Sequence, residues 1–385
     1  MSDNLRKNIL LRHLDEAGPI LQNLKYEKKG SDDEAEEFDD ISELPSLKQK
    51  FNKVHLSNRE EAKPEVTWDK FFEYNEVIQI QSRNLKFNTY YSFPKETGTM
   101  SIPIFVFHHG AGSSGLTFAN LAKHLREQLN DKCGLFSFDA RNHGETVFMN
   151  DDVKKSYSRD EFADDFCKLL DSFISDKLSY LPQEKLSIIL VGHSLGGSIS
   201  TFSFEKLNTK WKRQVIGVAM FDIVEEAAIS ALEKVDHYLK VTPNLFSDYN
   251  EAVTWHMDHN LSRCKESAEV AIPALFRPLP SGKVVRRTDL KTFSPYWGSW
   301  FGGLSKKFVS LPTSKLLIIA GNDNLDKDLI IGQMQGKYQL VVFQESGHFI
   351  QEDAPKKTAI TLIDFWKRND NKNVVIKSNW GSAKK

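Results

Sequence analysis

Residues 186–197 read Leu-Ser-Ile-Ile-Leu-Val-Gly-His-Ser-Leu-Gly-Gly, and this stretch decides the fold. Its first six residues are almost all apolar, which predicts a strand buried on both faces. A helical pattern follows over residues 198–207. The five residues 192–196 match G-x-S-x-G, a sharp strand-to-helix turn that strains the serine backbone and exposes its hydroxyl. We therefore predict Ser194 as a nucleophile at the carboxyl end of a buried strand.

Apolar runs alternate with helical patterns along the chain on both sides of this turn. The predicted strands cover residues 77–81, 85–93, 102–107, 134–138, 186–191, 215–221, 315–320 and 338–343. The predicted helices cover residues 116–129, 159–178, 198–207 and 354–368. This alternation predicts a mostly parallel central sheet with helices on both faces. The pattern stops over residues 224–311, where we predict a helical, loop-rich lid insertion.

The serine hydroxyl needs a base to take its proton, and His348 is the candidate. Of eleven histidines, it alone lies after the last predicted strand and before the final helix. His143 and His193 are expected to have structural roles.

The acid that orients the histidine should come between the serine and the histidine in the chain. Asp222 ends one predicted strand, and Asp323 or nearby Asp326 follows another. The residues alone do not choose between these two positions.

The oxyanion of an ester's tetrahedral intermediate requires two fixed N–H donors. The amide of Leu195, directly after the nucleophile, is one candidate. The glycine-rich loop His108-His-Gly-Ala-Gly-Ser-Ser-Gly115 follows a predicted strand and allows close backbone approach. We predict the amide of Ala111 as the second donor.

Composition excludes several classes of function. The net charge of the 385 residues is −1, which gives no sign of a nucleic-acid or acidic-membrane partner. No apolar run approaches the roughly 20 residues of a membrane span. Three scattered cysteines indicate a reducing compartment, cytosolic or nuclear. No zinc-type or phosphate-loop motif is present, so we expect no metal and no cofactor.

The chain divides into three predicted parts. Residues 1–65 form an acidic arm, because residues 31–44 hold eight acidic side chains and no basic one, which predicts disorder. Residues 66–370 form the hydrolase domain, and residues 371–385 form a C-terminal tail.

More specific motifs surround the general ones. They are the segments at residues 109–110, 139–146, 192–197, 222–225, 296–301, 315–339, 347–348 and 352–355, including Gly332-Gln-Met-Gln-Gly336. On these residues the chain resembles the protein phosphatase methylesterase family, over about residues 67–368. The resemblance implies an α/β-hydrolase fold and Asp222 as the acid of a Ser-His-Asp triad.

The resemblance also implies the reaction and the partner. The family removes the methyl ester from the C-terminal leucine of the protein phosphatase 2A catalytic subunit, releasing methanol, and binds that subunit directly. A groove for the peptide end would then be needed, with Trp297 and Trp300 as candidate walls or, equally, as lid core. Two alternatives remain: a general carboxylesterase of small esters, and a phosphatase-binding inhibitory factor whose esterase activity is secondary.

Overall fold

The computed structural model describes residues 63–96, 98–321 and 325–373. The predicted acidic arm, apart from its last three residues, lies outside these ranges, as do residues 374–385 of the predicted tail. The model therefore leaves both terminal predictions untested.

The strands follow one another along the whole described chain. In chain order they are β1 (Tyr74–Ile80), β2 (Leu85–Ser92), β3 (Ile102–His108), β4 (Gly134–Phe138), β5 (Val147–Phe148), β6 (Leu186–His193), β7 (Val215–Phe221), β8 (Leu245–Phe246), β9 (Phe276–Pro278), β10 (Val284–Arg286), β11 (Ser314–Ala320) and β12 (Gln339–Phe343).

The α-helices fill the connections between these strands. They are α1 (Ala119–Gln128), α2 (Arg159–Lys177), α3 (Leu195–Lys206), α4 (Thr209–Lys212), α5 (Glu225–Leu232), α6 (Val235–Val241), α7 (Tyr249–Asp258), α8 (Lys265–Ala271), α9 (Gly298–Phe301), α10 (Leu304–Ser310), α11 (Lys327–Met334), α12 (Ile350–Asp353) and α13 (Pro355–Asn369).

The central sheet has the strand order β1-β2-β4-β3-β6-β7-β11-β12, with β5 paired to β2. The pairs β1–β2, β2–β4 and β2–β5 are antiparallel. From β4 to β12 every neighbouring pair is parallel, which confirms the predicted mostly parallel sheet. The carboxyl ends of these strands therefore meet at one edge, where folds of this kind bind ligands.

Successive side chains of the parallel strands pack into two separate cores. Ile104 and Val106 of β3 contribute to the core that α2 and α3 cover. Phe105 and Phe107 contribute to the opposite core, which α1 and α13 cover. Each fully buried side chain of this size stabilises the fold by about 1.5–3 kcal/mol. Burial on both faces explains why the strands are almost entirely apolar.

The insertion between β7 and β11 differs in part from its prediction. It contains helices α5 to α10, but also a small antiparallel sheet in the order β8-β10-β9. Phe246, Phe276 and Val284 bury their side chains in a separate apolar cluster there. These strands are two or three residues long, too short to show the alternation by which strands are predicted. The prediction of a helical, loop-rich insertion was therefore incomplete.

Candidate active site

Ser194 stands in the turn between β6 and α3 in a strained conformation. Its φ of 50° and ψ of −119° lie where non-glycine residues are rarely found. Its amide donates to the carbonyl of Phe221 at 2.9 Å, and its carbonyl accepts from the amide of Gly197 at 2.9 Å. These backbone bonds maintain the strained turn and hold the half-buried serine at the carboxyl edge of the sheet.

The glycines of the turn are required by close backbone contacts. A Cβ atom on Gly196 would lie 2.0 Å from the carbonyl oxygen of His108, and one on Gly192 would lie 2.1 Å from the carbonyl oxygen of Gly196. A Cβ atom on Gly110 would lie 3.1 Å from the Cβ atom of Ser194. The loop after β3 therefore lies directly beside the serine.

Asp222 follows β7 directly, and both of its carboxylate oxygens have fixed partners. Oδ1 accepts from the amide of Ala320 at 2.7 Å, and Oδ2 lies 2.7 Å from Nδ1 of His348. Because a carboxylate only accepts, Nδ1 carries the proton, and Nε2 is the nitrogen with the acceptor lone pair in a neutral ring. The Asp222 side chain is 9% exposed and that of His348 is 50% exposed, so the imidazole is accessible from solvent.

The second position considered for the acid has a different role in the structure. Asp326 caps the N-terminus of α11, where its Oδ1 accepts from the amide of Leu329 at 3.0 Å. Its other oxygen bonds to the hydroxyl of Ser305. Asp323 lies outside the described residues. Among the three carboxylates considered, the structure thus brings Asp222 to His348 and engages Asp326 elsewhere.

The loop that carries His348 is attached to the serine turn through His193. Nε2 of His193 donates to the carbonyl oxygen of His348 at 2.8 Å, and the two ring centroids are 4.6 Å apart. Burial, together with the neighbouring His348 ring, lowers the pKa of His193 well below its ordinary value. His193 therefore stays neutral and joins the two segments.

A carboxylate that the sequence reasoning missed connects the same loop to the insertion. Asp353 accepts from the amide of Gly347 at 2.7 Å and from the amide of Arg263 at 2.8 Å. Arg263 belongs to the insertion, so this one side chain holds the residue before His348 against it. The only sequence signal was the segment at residues 352–355, which entered only as part of the family resemblance.

The two predicted amide donors lie on segments that adjoin Ser194. Leu195 is the first residue of α3, and a helix leaves its first amides without intrahelical partners. In the described chain the amide of Gly112 donates to His143, and that of Ser113 donates to the carbonyl of Gly110. No hydrogen bond among the described residues uses the amide of Ala111, which leaves it available to a ligand.

The two tryptophans proposed as groove walls differ in burial. Trp300 is 2% exposed, and its indole N–H donates to the carbonyl of Tyr157 at 2.9 Å. Its ring packs with Phe162 and Phe293, so it belongs to the core between the insertion and the sheet. Trp297 is only partly buried at the edge of the same core. Of the two roles considered for each tryptophan, burial gives Trp300 that of lid core, and Trp297 stays a candidate wall.

The described residues contain no group of three or more His, Cys, Asp or Glu side chains placed to hold a metal ion. None of the helices that the structure describes combines the length and apolar character needed to cross a membrane.

The chain is similar to known proteins over most or all of its length. Residues 105–360 match the model of the alpha/beta hydrolase family. The chain is 60% identical to protein phosphatase methylesterase 1 of Candida glabrata, over all of both chains. It is 54% identical to protein phosphatase methylesterase 1 of Saccharomyces cerevisiae, over all of this chain and 99% of that protein.

Solved structures share the fold at much lower identity. E-2-(acetamidomethylene)succinate hydrolase superposes with a TM-score of 0.58 at 18% identity, over 76% of this chain and 100% of that one. The peroxisomal alpha-beta-hydrolase of Saccharomyces cerevisiae superposes with a TM-score of 0.56 at 15% identity, over 76% of this chain and 85% of that one. At these identities the likeness is one of fold.

Proposed function

This chain belongs to the alpha/beta hydrolase family and, within it, to the protein phosphatase methylesterases, and from that premise we propose its reaction. The proposed activity is hydrolysis of the methyl ester on the C-terminal leucine of the protein phosphatase 2A catalytic subunit. The observation that carries the proposal is the 2.7 Å hydrogen bond between Asp222 and His348. That bond orients a base beside a serine in a strained turn.

The first half of the reaction forms an acyl-enzyme. Nε2 of His348 takes the proton of the Ser194 hydroxyl as Oγ attacks the carbonyl carbon of the leucine methyl ester. The amides of Leu195 and Ala111 donate to the oxyanion that develops on the former carbonyl oxygen. When the intermediate collapses, His348 gives its proton to the methoxy oxygen, and methanol leaves.

The second half of the reaction releases the free carboxylate. Water gives a proton to Nε2 of His348 and attacks the acyl carbon, and the same amides hold the second oxyanion. His348 then returns the proton to Oγ of Ser194, which restores the enzyme and frees the C-terminal leucine carboxylate. Asp222 remains ionised throughout and stabilises the imidazolium that forms twice in each cycle.

The substrate is the end of a peptide, so the site needs a surface beside Ser194 to hold it. Part of this surface is proposed to come from the insertion, with Trp297 as a wall. The phosphatase subunit would be both substrate and binding partner. We also propose a cytosolic or nuclear location, which the low count of three cysteines supports.

The competing candidate is a general carboxylesterase, and relative efficiency separates the two. We would compare kcat/KM for a carboxymethylated phosphatase tail with that for p-nitrophenyl acetate. The proposal expects a preference for the tail of at least about 100-fold, which corresponds to about 2.7 kcal/mol of binding in the transition state. Equal efficiency on both esters would contradict the proposed substrate and indicate an unspecific esterase.

A further inference from the structure

The loop beside Ser194 is joined to a second loop by a pair of histidines, one on each loop. We name residues 108–115, after β3, the donor loop, and residues 139–146, after β4, the support loop. Nε2 of His109, in the donor loop, accepts from the amide of Ala140 at 2.9 Å. Nε2 of His143, in the support loop, accepts from the amide of Gly112 at 2.9 Å. Each histidine thus accepts a backbone N–H from the other loop.

These contacts determine the tautomers of both rings. A backbone amide can only donate, so Nε2 of each ring must be the acceptor and Nδ1 must carry the proton. Nδ1 of His109 donates to the carbonyl of Gly110 at 2.7 Å, and Nδ1 of His143 donates to the carbonyl of Arg141 at 2.9 Å. Every ring nitrogen of the pair is therefore bonded, and both rings are neutral.

Burial keeps the two rings neutral. Both side chains are about 1% exposed, and this burial is the main reason that the pKa of each falls to about 3. The His109 ring, whose centroid is 5.0 Å away, further lowers the pKa of His143, because a charge on one ring would repel a charge on the other. The neighbouring His108 ring lowers the pKa of His109 in the same way. Neither acceptor is lost to protonation at neutral pH.

The bonds fix the two peptide planes on either side of Ala111. The N–H of Ala111 and the C=O of Gly110 belong to one planar trans peptide, so they point in opposite directions. The bond from His109 to the Gly110 carbonyl therefore fixes the direction of the Ala111 N–H. The next peptide carries the N–H of Gly112, which His143 holds. The residue between them cannot rotate without breaking one of these bonds.

The insertion seals this arrangement from solvent. The ring of Phe293, which is fully buried, stacks on His143 with centroids 5.1 Å apart and planes inclined by 17°. The side chain of Leu290 lies 3.0 Å from where a Cβ of Gly112 would stand, and Gly112 has a φ of +74°. Water is therefore kept from competing for the Nε2 acceptor of His143.

We propose that His143 is a positioning residue: its bond to Gly112 holds the peptide after Ala111 and so, together with the bond from His109 to Gly110, keeps the Ala111 amide aimed at the developing oxyanion. The inference rests on the proposed function, in which that amide is an oxyanion donor. His143 touches no reacting atom, so its contribution is to the direction of the donor. Loss of one oxyanion donor slows an enzyme about 10²–10³-fold, and a donor that is only misdirected should cost less.

The test compares His143→Leu, which removes the acceptor, with His143→Gln, whose amide oxygen can replace Nε2. The matched control is His256→Leu. His256 is also buried, its Nδ1 also donates to a backbone carbonyl (Ala252, 2.7 Å), and burial lowers its pKa to about 4. It lies in the insertion, and its Nε2 faces Arg286 at 3.4 Å instead of an amide of the donor loop.

The assay is hydrolysis of p-nitrophenyl acetate, with binding of a trifluoromethyl ketone analogue as a second measurement. We expect His143→Leu to lower kcat about 10–100-fold with KM within about twofold, because only the transition state carries the oxyanion. Affinity for the ketone adduct should fall by the same factor as kcat/KM. The Gln variant should recover at least several-fold of the lost kcat, and His256→Leu should stay within twofold of the wild type.

Three results would overturn the positioning role. They are a His143→Leu enzyme with kcat within twofold of the wild type, an equal loss in His256→Leu, or a Gln variant no faster than Leu. Thermal melting identifies any variant that fails to fold. If His143→Leu does not fold, the kcat of His143→Gln and its affinity for the ketone analogue test the positioning role. A wild type that cleaves p-nitrophenyl acetate but not the methylated tail would contradict the proposed substrate alone, since the positioning role is measured on the small ester.

Discussion

Replacing Asp222 by Asn should inactivate the enzyme by imposing the wrong tautomer on His348. The amide of Ala320 donates to Oδ1 at 2.7 Å, so an asparagine must keep its oxygen on that side. Its NH2 group then faces Nδ1 of His348, which now has to accept. The imidazole proton moves to Nε2, and a ring protonated there cannot take the serine proton.

The size of the effect follows from two contributions. In an ion pair, two charge centres about 4 Å apart attract each other by about 4 kcal/mol at an effective dielectric constant near 20. The Asn variant loses this attraction between residue 222 and the imidazolium. Restoring the reactive tautomer would set two N–H groups against each other, which costs about 1–3 kcal/mol. Together these give about 5–7 kcal/mol, or a loss in kcat on the order of 10⁴-fold.

Hydrolysis of p-nitrophenyl acetate measures kcat, and circular dichroism melting checks the fold. Asp222→Ala should be less impaired than Asp222→Asn, because it removes the charge without dictating the tautomer. The matched control is Asp326→Asn, which keeps an N-cap side chain on α11 and should leave kcat unchanged. Retention of more than about 1% of kcat by Asp222→Asn, or an equal loss in Asp326→Asn, would contradict the role of Asp222.

Four further substitutions test other parts of the structure. Burial raises the pKa of Glu352 from 4.5 to about 8, so between these pH values the native state holds a proton that the unfolded state has lost. The stabilisation that comes from binding this proton is full below pH 4.5 and falls as the pH rises toward 8. Glu352→Gln should reduce the change of melting temperature with pH across that range, and an unchanged pH dependence would contradict this. Trp300→Phe should destabilise the fold by about 1–3 kcal/mol without changing KM. Trp297→Ala should raise KM for the methylated tail but not for the small ester. The reverse pattern would exchange the roles of the two tryptophans. Gly196→Ala should cost about 3 kcal/mol or more in urea unfolding, because its Cβ would lie 2.0 Å from the carbonyl oxygen of His108, and a variant as stable as the wild type would be inconsistent with that contact.

The sheet and the sharp turn at Ser194 could be predicted because both leave local patterns. Strands buried on two faces are almost entirely apolar, and the predicted limits of β4 and β7 coincide with the observed ones. The glycine at 192 is required by a contact of 2.1 Å within the turn itself, and the glycine at 196 by a contact of 2.0 Å with the end of β3. His348 could be found from its order in the chain, since few positions follow the last strand and precede the final helix.

The choice of the acid could not be made from local patterns. β7 and β11 are neighbours in the sheet, so carboxylates after either strand reach the same edge. The amide of Ala320, at the end of β11, donates to the carboxylate that follows β7. Two positions so close in space remain equivalent until the side-chain directions are known.

The roles of the tryptophans and the small sheet were also beyond local patterns. Trp297 and Trp300 are three residues apart in one aromatic segment, yet one is partly exposed and the other is 2% exposed. Large aromatic side chains suit a core and a binding wall equally, so only the packing of the insertion distinguishes them. Strands of two or three residues are set by their partners across the sheet, which the sequence does not reveal.

The measurement that tests the central proposal most directly is release of methyl groups from the carboxymethylated phosphatase 2A catalytic subunit. The wild type would be compared with Ser194→Ala at equal concentration, with p-nitrophenyl acetate hydrolysis measured in parallel. The proposal predicts release of methanol by the wild type and none above background by Ser194→Ala. Hydrolysis of the small ester without methyl release by the wild type would contradict the proposed substrate, and equal release by both proteins would contradict Ser194 as the nucleophile.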